Sequence, residues 1–311
     1  MKNKIKCISL FDGISGCRQA LKELNIDCEY YASEIDKFAI KVAKHNHPDI
    51  IQLGDVKDID FTKFKNVKLL SAGFPCQSYS IAGQRKGIQD ERGKLIYDVF
   101  RALKDCQPEY FLLENVKGLL SIDKGNTFKN ILEELNSCRY DVTWELINSS
   151  LLTAQNRQRV YILGKRKDIN RKIKIDQPED KKIYLEDIIE KGFVDRDKSY
   201  CIDANYHKGG NLKSYFEKSS RQLVFATQLG NSKSWGNAIN KSGKAFTLRA
   251  SQPNGIILDE KIRKLTPTEC CRLQGFPDDY VSMVSNTQGY KGLGNSFTVP
   301  VIKHLIQSII K

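Results

Sequence analysis

Short apolar runs alternate with helical patterns about 12 residues long between residues 5 and 163, and this alternation most limits what the chain can fold into. Residues 5–11, 28–33, 50–53, 67–72 and 110–114 read as strands, with two more near 142–147 and 159–163. Residues 17–24, 37–45, 94–106 and 126–137 carry helical periodicity. A helix between successive strands makes parallel neighbours the natural pairing. Residues 1–168 are therefore predicted to form an α/β domain, a doubly wound, mostly parallel sheet. The character changes at Lys165-Arg-Lys167, where a basic, irregular stretch begins, and residues 200–255 show short β-like pieces separated by Gly, Asn and Ser. A second, smaller, loop-rich domain is predicted over 169–262. Thr266-Pro-Thr-Glu269 has an N-cap, a proline at the first helical position and a capping glutamate. That helix should run to Gln274 and stop at Gly275. A closing helix near 299–310 puts Ile302, Leu305, Ile306 and Ile309 on one face, so the segment 263–311 is expected to return to the first domain.

Charge narrows the partners. Lys and Arg number 50 and Asp and Glu 37, so 50 − 37 leaves a net charge of +13, which favours a polyanion, nucleic acid first. No apolar run approaches the roughly 18 residues a membrane span needs, and the first residues lead straight into a strand without a signal peptide. A cytoplasmic location without membrane contact is expected. The nine cysteines contain no Cys-x-x-Cys pair and the four histidines show no metal spacing, which argues for reduced thiols rather than disulfides or a structural zinc.

The chemistry-bearing residues gather at strand ends, where open α/β sheets bind ligands. Phe11-Asp-Gly13-Ile-Ser-Gly16 follows the first strand and opens a helix, a place where glycines let a ligand approach the backbone. Glu34, about 20 residues on, could accept bonds from ribose hydroxyls, and Asp55 could bind an adenine amino group. An adenosine-containing cofactor fits all three strand ends. The fourth strand breaks at Gly73 and Pro75, and Cys76 follows as a candidate nucleophile, with a Gly- and Ser-containing loop from Gln77 to Arg92 behind it. Glu114 ends an apolar strand, and partial desolvation there suits a carboxyl to hold or donate a proton near neutral pH. Arg157 and Arg159, two residues apart, would share one face of an extended segment and reach a base or phosphate.

Taken in order, these pieces resemble the cytosine-C5 DNA methyltransferase family of bacteria and phages. The likeness rests on Phe11-x-Gly13-x-x-Gly16, Glu34, Gly54-Asp55-Val56, Gly73-Phe-Pro-Cys-Gln77, Glu114-Asn-Val116 and Gln155-x-Arg157-x-Arg159. It continues through Arg263-x-Leu-Thr-x-x-Glu269-x-x-Arg272-Leu-Gln-Gly-Phe-Pro-Asp278 and Gly294-Asn-Ser296. The resemblance implies methyl transfer from S-adenosylmethionine to cytosine C5 in a short sequence of double-stranded DNA, with S-adenosylhomocysteine as product. It implies Cys76 as the nucleophile at C6 of a flipped-out base, Glu114 holding N3 and the exocyclic amine, Arg159 at O2 and Arg157 in support. Cofactor contacts carry over to Phe11, Gly13, Gly16, Glu34, Asp55, Gly73, Pro75, Leu95, Asn295 and Ser296. The family reads DNA sequence through the smaller, target-recognition domain.

The chain departs from the family pattern at Asp12, Ser15 and Leu152-Thr-Ala154. Gln77, Ser78, Ser80 and Arg92 in the loop, with Lys208 and Arg221 in the smaller domain, are candidate DNA contacts because such side chains reach phosphates or base edges. Any DNA cutting would need a separately encoded restriction endonuclease, and a monomer suffices for the chemistry. Transfer RNA is an alternative substrate. A sequence-binding regulator would not need Cys76, Glu114 and both arginines, and a nicotinamide dehydrogenase leaves Cys76 without a role.

Overall fold

The computed structural model describes residues 4–75, 95–210, 215, 217–225 and 262–310. Among these, β1 (Ile5–Leu10), β2 (Cys28–Ser33), β3 (Ile51–Gly54), β4 (Val67–Ala72), β5 (Tyr110–Val116), β6 (Tyr140–Asn148) and β7 (Gln158–Arg166) form one sheet. Its order is β3-β2-β1-β4-β5-β7-β6. The first five strands pair in parallel, whereas β7 runs antiparallel to both β5 and β6. Helices α1 (Gly16–Glu23), α2 (Lys37–Asn46), α3 (Leu95–Cys106) and α4 (Asn126–Ser137) make the connections. The doubly wound, mostly parallel sheet predicted from the alternation is the observed fold, with element ends displaced by a few residues.

The order reverses between β1 and β4, so the turn after β1 and the Gly73 break after β4 lie side by side at the topological switch, where such sheets take ligands. Two layers of apolar packing hold that edge in place. On one face Leu10, Leu70, Phe100, Leu103, Phe111, Leu113 and Ile131 share a core. On the other, helix Val299–Ile309 packs against α1, with Lys303 bonded to Glu23 at 2.7 Å. Its Ile302, Leu305, Ile306 and Ile309 are buried, each burial stabilising by about 1.5–3 kcal/mol.

The described residues fall into two compact units. One is drawn from Met1–Asn148, Gln158–Pro178 and Ser296–Lys311, the other from Ser149–Arg157 and Glu179–Asn295. These limits differ from the expected 1–168, 169–262 and 263–311. Residues 263–295 belong to the second unit, into which helix Pro267–Gln274 is bound through a half-buried ion pair. Arg263 donates twice to Glu269 at 2.8 Å, and the same carboxylate accepts from the Glu190 backbone at 2.7 Å. Thr266 and Glu269 form the predicted capping box, and Gly275, at φ 76°, ends the helix. Residues 169–178 stay with the first unit, where Arg171 donates to the Ile309 and Ser308 carbonyls at 2.9 Å. Strands Leu223–Phe225 and Ile262–Lys264 pair in the second unit, and most of the β-like pieces expected over 200–255 lie outside the described residues. The eight described cysteines are free thiols, and among the described residues no helix is long and apolar enough to cross a membrane.

The β5–β7 pairing has a point of close packing. A Cβ built on Gly164 would lie 1.9 Å from the ring of the buried Phe111, its partner in register. Gly164→Ala is therefore expected to destabilise the fold by about 1–3 kcal/mol or more, read as a lowered urea midpoint. An unchanged midpoint would mean that the strand pair can spread at no cost.

Candidate active site

Asp55 follows β3, Glu34 follows β2, the 11–16 turn follows β1, Gly73 follows β4 and Glu114 lies near the end of β5. Because these strands are parallel neighbours, the residues form a row along one edge of the sheet in that spatial order. Three strand spacings separate β3 from β4, about 14 Å, a span suited to an extended adenosyl amino acid.

The turn after β1 is held in an uncommon shape. Phe11, Gly13 and Ser15 have φ values of 56°, 59° and 64°, in the left-handed region that non-glycine residues seldom adopt. Asp12 pins the turn: its amide donates to the Ser33 carbonyl at 3.0 Å, and its own carbonyl accepts from Ser15 at 3.0 Å. Its carboxylate accepts from the Ser15 hydroxyl and, at 2.8 Å, from the Tyr30 hydroxyl. Gly13 donates its amide to Glu34 Oε2 at 2.8 Å, while Glu34 Oε1 accepts from Ile35 and Asp36 at 2.8 Å each. A carboxylate oxygen accepts about two bonds, so Oε2 keeps capacity for a ligand hydroxyl. Asp36 then caps α2, which fixes the chain just beyond Glu34. A Cβ built on Gly13 meets nothing within 4 Å, so the space before the turn is open to a ligand. Asp55 accepts from Lys57 through one oxygen at 3.1 Å. Gly16 opens α1, and Leu95 opens α3.

At the other end of the row, β5 and β7 bring an acid and a base together. Glu114 pairs in register with Tyr161 and Val116 with Arg159, so Glu114 and Arg159 are diagonal neighbours on one face. Arg159 Nε lies 3.1 Å from Glu114 Oε1, without the alignment of a hydrogen bond. Their side chains are only 16% and 12% exposed, so a charged or polar ligand would meet them with little competing water. Beside Glu114, Asn115 donates to the Phe74 carbonyl at 3.0 Å and accepts from Val116 at 2.8 Å, which ties the Gly73–Pro75 turn to the end of β5. A Cβ on Gly73 would come within 3.1 Å of the Phe297 ring and 3.8 Å of Glu114 Oε2, so glycine is what lets these three groups converge.

Arg157 behaves differently from Arg159. β7 starts at Gln158, so Arg159 lies on the strand and Arg157 just before it. Arg157 is 4% exposed and donates to the Ile202 and Gly294 carbonyls, both at 3.1 Å, within the second unit. Nearby, Gln155 accepts from the Ile202 amide at 2.9 Å. Gly294 is required by close approach, since a Cβ would lie 2.2 Å from the Asp203 backbone. Asn295 is exposed at the end of the second unit, and Ser296, buried, begins the return to the first.

Cys76, Gln77, Ser78, Ser80 and Arg92 lie outside the described residues. Lys208 and Arg221 are brought together, the Arg221 guanidinium reaching the Lys208 carbonyl at 3.4 Å. Three neighbours of the row escaped the sequence reading. Phe297 gave no signal beyond following Ser296, Ile35 is 74% exposed directly after Glu34, and the buried bonding of Asp12 needs the Tyr30 contact to be seen.

A family model described as C-5 cytosine-specific DNA methylase matches residues 5–311. The type II methyltransferase M.SsoII of Shigella sonnei is 36% identical over 322 residues, covering 99% of this chain and 80% of that protein. M.HpaII of Haemophilus parainfluenzae, also a type II methyltransferase, is 35% identical over 336 residues, covering 100% of this chain and 90% of that protein. Among solved structures, the Entamoeba histolytica methyltransferase EhMeth has a TM-score of 0.73 at 18% identity, covering 99% of this chain and 98% of that one, a likeness of fold. The sheet is a Rossmann-like methyltransferase fold, and the chain belongs to the C-5 cytosine-specific DNA methylase family. It is a DNA cytosine-5 methyltransferase whose cofactor is S-adenosylmethionine.

Two consequences can be measured. Burial pushes the Asp12 carboxyl from 3.8 up to about 6; the hydroxyls of Ser15, Ser9 and Tyr30 pull it down, and Glu34 adds to the rise. A raised folded value means that the stability contribution is full below about pH 3.8 and is lost as pH rises through about 6, a cost of roughly 3 kcal/mol at most. Asp12→Asn is expected to unfold at higher urea than the native chain at pH 8, with the difference vanishing near pH 4. Equal midpoints at pH 8 would contradict this. Arg157→Ala strands two buried carbonyls and is expected to cost about 2–4 kcal/mol in chemical unfolding. A loss below about 1 kcal/mol would mean that the two carbonyls find other donors.

Proposed function

We propose that the chain methylates one cytosine within a specific short sequence of double-stranded DNA, through a covalent bond between Cys76 and C6 of a flipped-out base. The observation that carries this reading is the Glu114–Arg159 pair beside the Gly73–Pro75 turn, which Asn115 ties to β5 and which Cys76 follows directly in the chain. C5 of cytosine is a weak nucleophile. Addition of the Cys76 thiolate to C6 turns the C5–C6 double bond into an enamine, and Glu114 delivers a proton to N3 as that bond forms. Arg159 donates to O2. S-adenosylmethionine, when bound, supplies an electrophilic methyl group on a sulfonium and leaves as S-adenosylhomocysteine. A base then takes the C5 proton, N3 returns its proton to Glu114, the electrons restore the C5–C6 double bond, and the Cys76–C6 bond breaks to give back the thiolate.

Phe11, Gly13, Gly16, Glu34, Asp55, Gly73, Pro75, Leu95, Asn295 and Ser296 are the residues we assign to the cofactor. The open face of Gly13 and the spare acceptor capacity of Glu34 support the assignment. The apolar face of Ile35, exposed beside Glu34, suits a purine ring. The target carbon lies inside the duplex stack, so the base must leave it to reach Glu114. Gln77, Ser78, Ser80 and Arg92 next to Cys76, and Lys208 and Arg221 in the second unit, are the side chains we assign to DNA. The type II relatives favour a separately encoded restriction endonuclease that shares the target sequence, and the chemistry asks only for a monomer.

Bisulfite mapping of bacterial DNA after expression of the chain tests the reading. Protected cytosines are expected in one short motif, and Cys76→Ala should abolish them. Glu114→Gln should slow methylation by about 10²–10⁴-fold. Protection that persists in Cys76→Ala would reject the covalent route, and protection without a common motif would reject specificity.

A further inference from the structure

We propose that Asp12 is a positioning residue for the cofactor, holding the turn after β1 in its left-handed shape and fixing the distance from that turn to Glu34. The proposal rests on the assignment of this turn to S-adenosylmethionine. Asp12 is the point where the turn is fastened to β2 twice, by its backbone to Ser33 at 3.0 Å and by its carboxylate to Tyr30 at 2.8 Å. The second carboxylate oxygen takes the Ser15 hydroxyl, so one side chain restrains both the start and the end of the turn. Gly13, between them, is then aimed at Glu34 Oε2 at 2.8 Å. Phe11 and Ser15 are non-glycine residues at positive φ, and such conformations persist only where surroundings over-determine them. Without the carboxylate, both hydroxyls lose their acceptor and the turn is free to relax away from Glu34.

The carboxylate is kept at a cost. It is buried, and burial raises its proton affinity against the pull of the surrounding hydroxyls. The described groups facing it are Ser9 on β1, Ser15 at the start of α1, Cys17 within α1, Tyr30 on β2 and Glu34 beyond β2. An ionised acid in such a place weakens the fold, while its two acceptor bonds keep the turn set for a ligand. Stability and cofactor affinity should therefore respond to its removal with opposite signs.

The test is equilibrium binding of S-adenosylmethionine to the full chain, run beside urea unfolding, for the native chain, Asp12→Asn, Asp12→Ala and Glu34→Ala. Asp12→Ala is expected to weaken binding by about tenfold or more. Asp12→Asn keeps the shape and one acceptor, so it should bind between the two, while being more stable than the native chain at pH 8. Native affinity should fall as pH drops through about 6, where the carboxyl takes up its proton, and affinity of Asp12→Asn should stay level. Native-like affinity in Asp12→Asn and Asp12→Ala, with Glu34→Ala weakened, would overturn the proposal alone. Asp12→Asn losing stability and affinity together would make the residue structural only, which also overturns it. Unchanged affinity in Glu34→Ala would instead remove the turn from the cofactor site.

Discussion

The antiparallel pairing of β7 with β5 is the constraint on which the candidate site depends. Parallel strands deliver only their carboxyl ends to that edge, and those ends supply acids and glycines: Asp55, Glu34, the 11–16 turn, Gly73 and Glu114. A base directly beside Glu114 has to come from a strand entering from the edge, and β7 does so, starting at Gln158 with Arg159 as its second residue. The register places Arg159 diagonally across from Glu114 at 3.1 Å. The same pairing needs Gly164 against the Phe111 ring, so packing at the far end of the strand pair protects the register at the near end.

Along that edge, local energy runs against stability. Two non-glycine residues sit at positive φ in the first turn, the buried Asp12 carboxylate is held by hydroxyls, and Glu114 Oε1 is buried without an aligned hydrogen bond. At the opposite end of the sheet, charges are paired in the ordinary way, as with Lys68 and Glu109 or Lys165 and Asp141. Positive φ at Asn25, Asn66 and Gln107 shows that backbone strain is shared by both ends of the sheet, so the contrast between them lies in how the carboxylates are paired.

Much of this was legible in the sequence because its signals are local. The alternation of apolar runs and helical patterns gives the strands and crossovers, and the Thr266-Pro-Thr-Glu269 box gives a helix start that the structure reproduces. The row of strand-end residues follows from the same reading, since a parallel strand puts its last residue at one edge. What stayed hidden depends on partners far apart in the chain. The boundary near Ser296, rather than 263, is set by Arg263 and Glu269 bonding to residues around 190. Phe297 enters the site only because Gly73, over 200 residues earlier, leaves room for its ring. Asp12 reads as a loop acid until Tyr30 is placed beside it.

The Gln155-x-Arg157-x-Arg159 motif shows how one short sequence can hold two separate duties. The chain passes from the second unit to the first between Arg157 and Gln158, and passes again between Asn295 and Ser296. Arg157 donates to the Gly294 carbonyl at 3.1 Å, so within the second unit one guanidinium fastens both segments just before they cross. Gln155 and Gln274 reinforce that anchor, accepting from the Ile202 amide at 2.9 Å and donating to the Leu293 carbonyl at 2.7 Å. Beyond the crossings lie Arg159 on one segment and Ser296 and Phe297 on the other. Each of those residues can be set no more accurately than the segment that carries it. Within the second unit Arg157 thus fastens the two segments that lead out of it, which is why its spacing from Arg159 is as much a constraint as its identity.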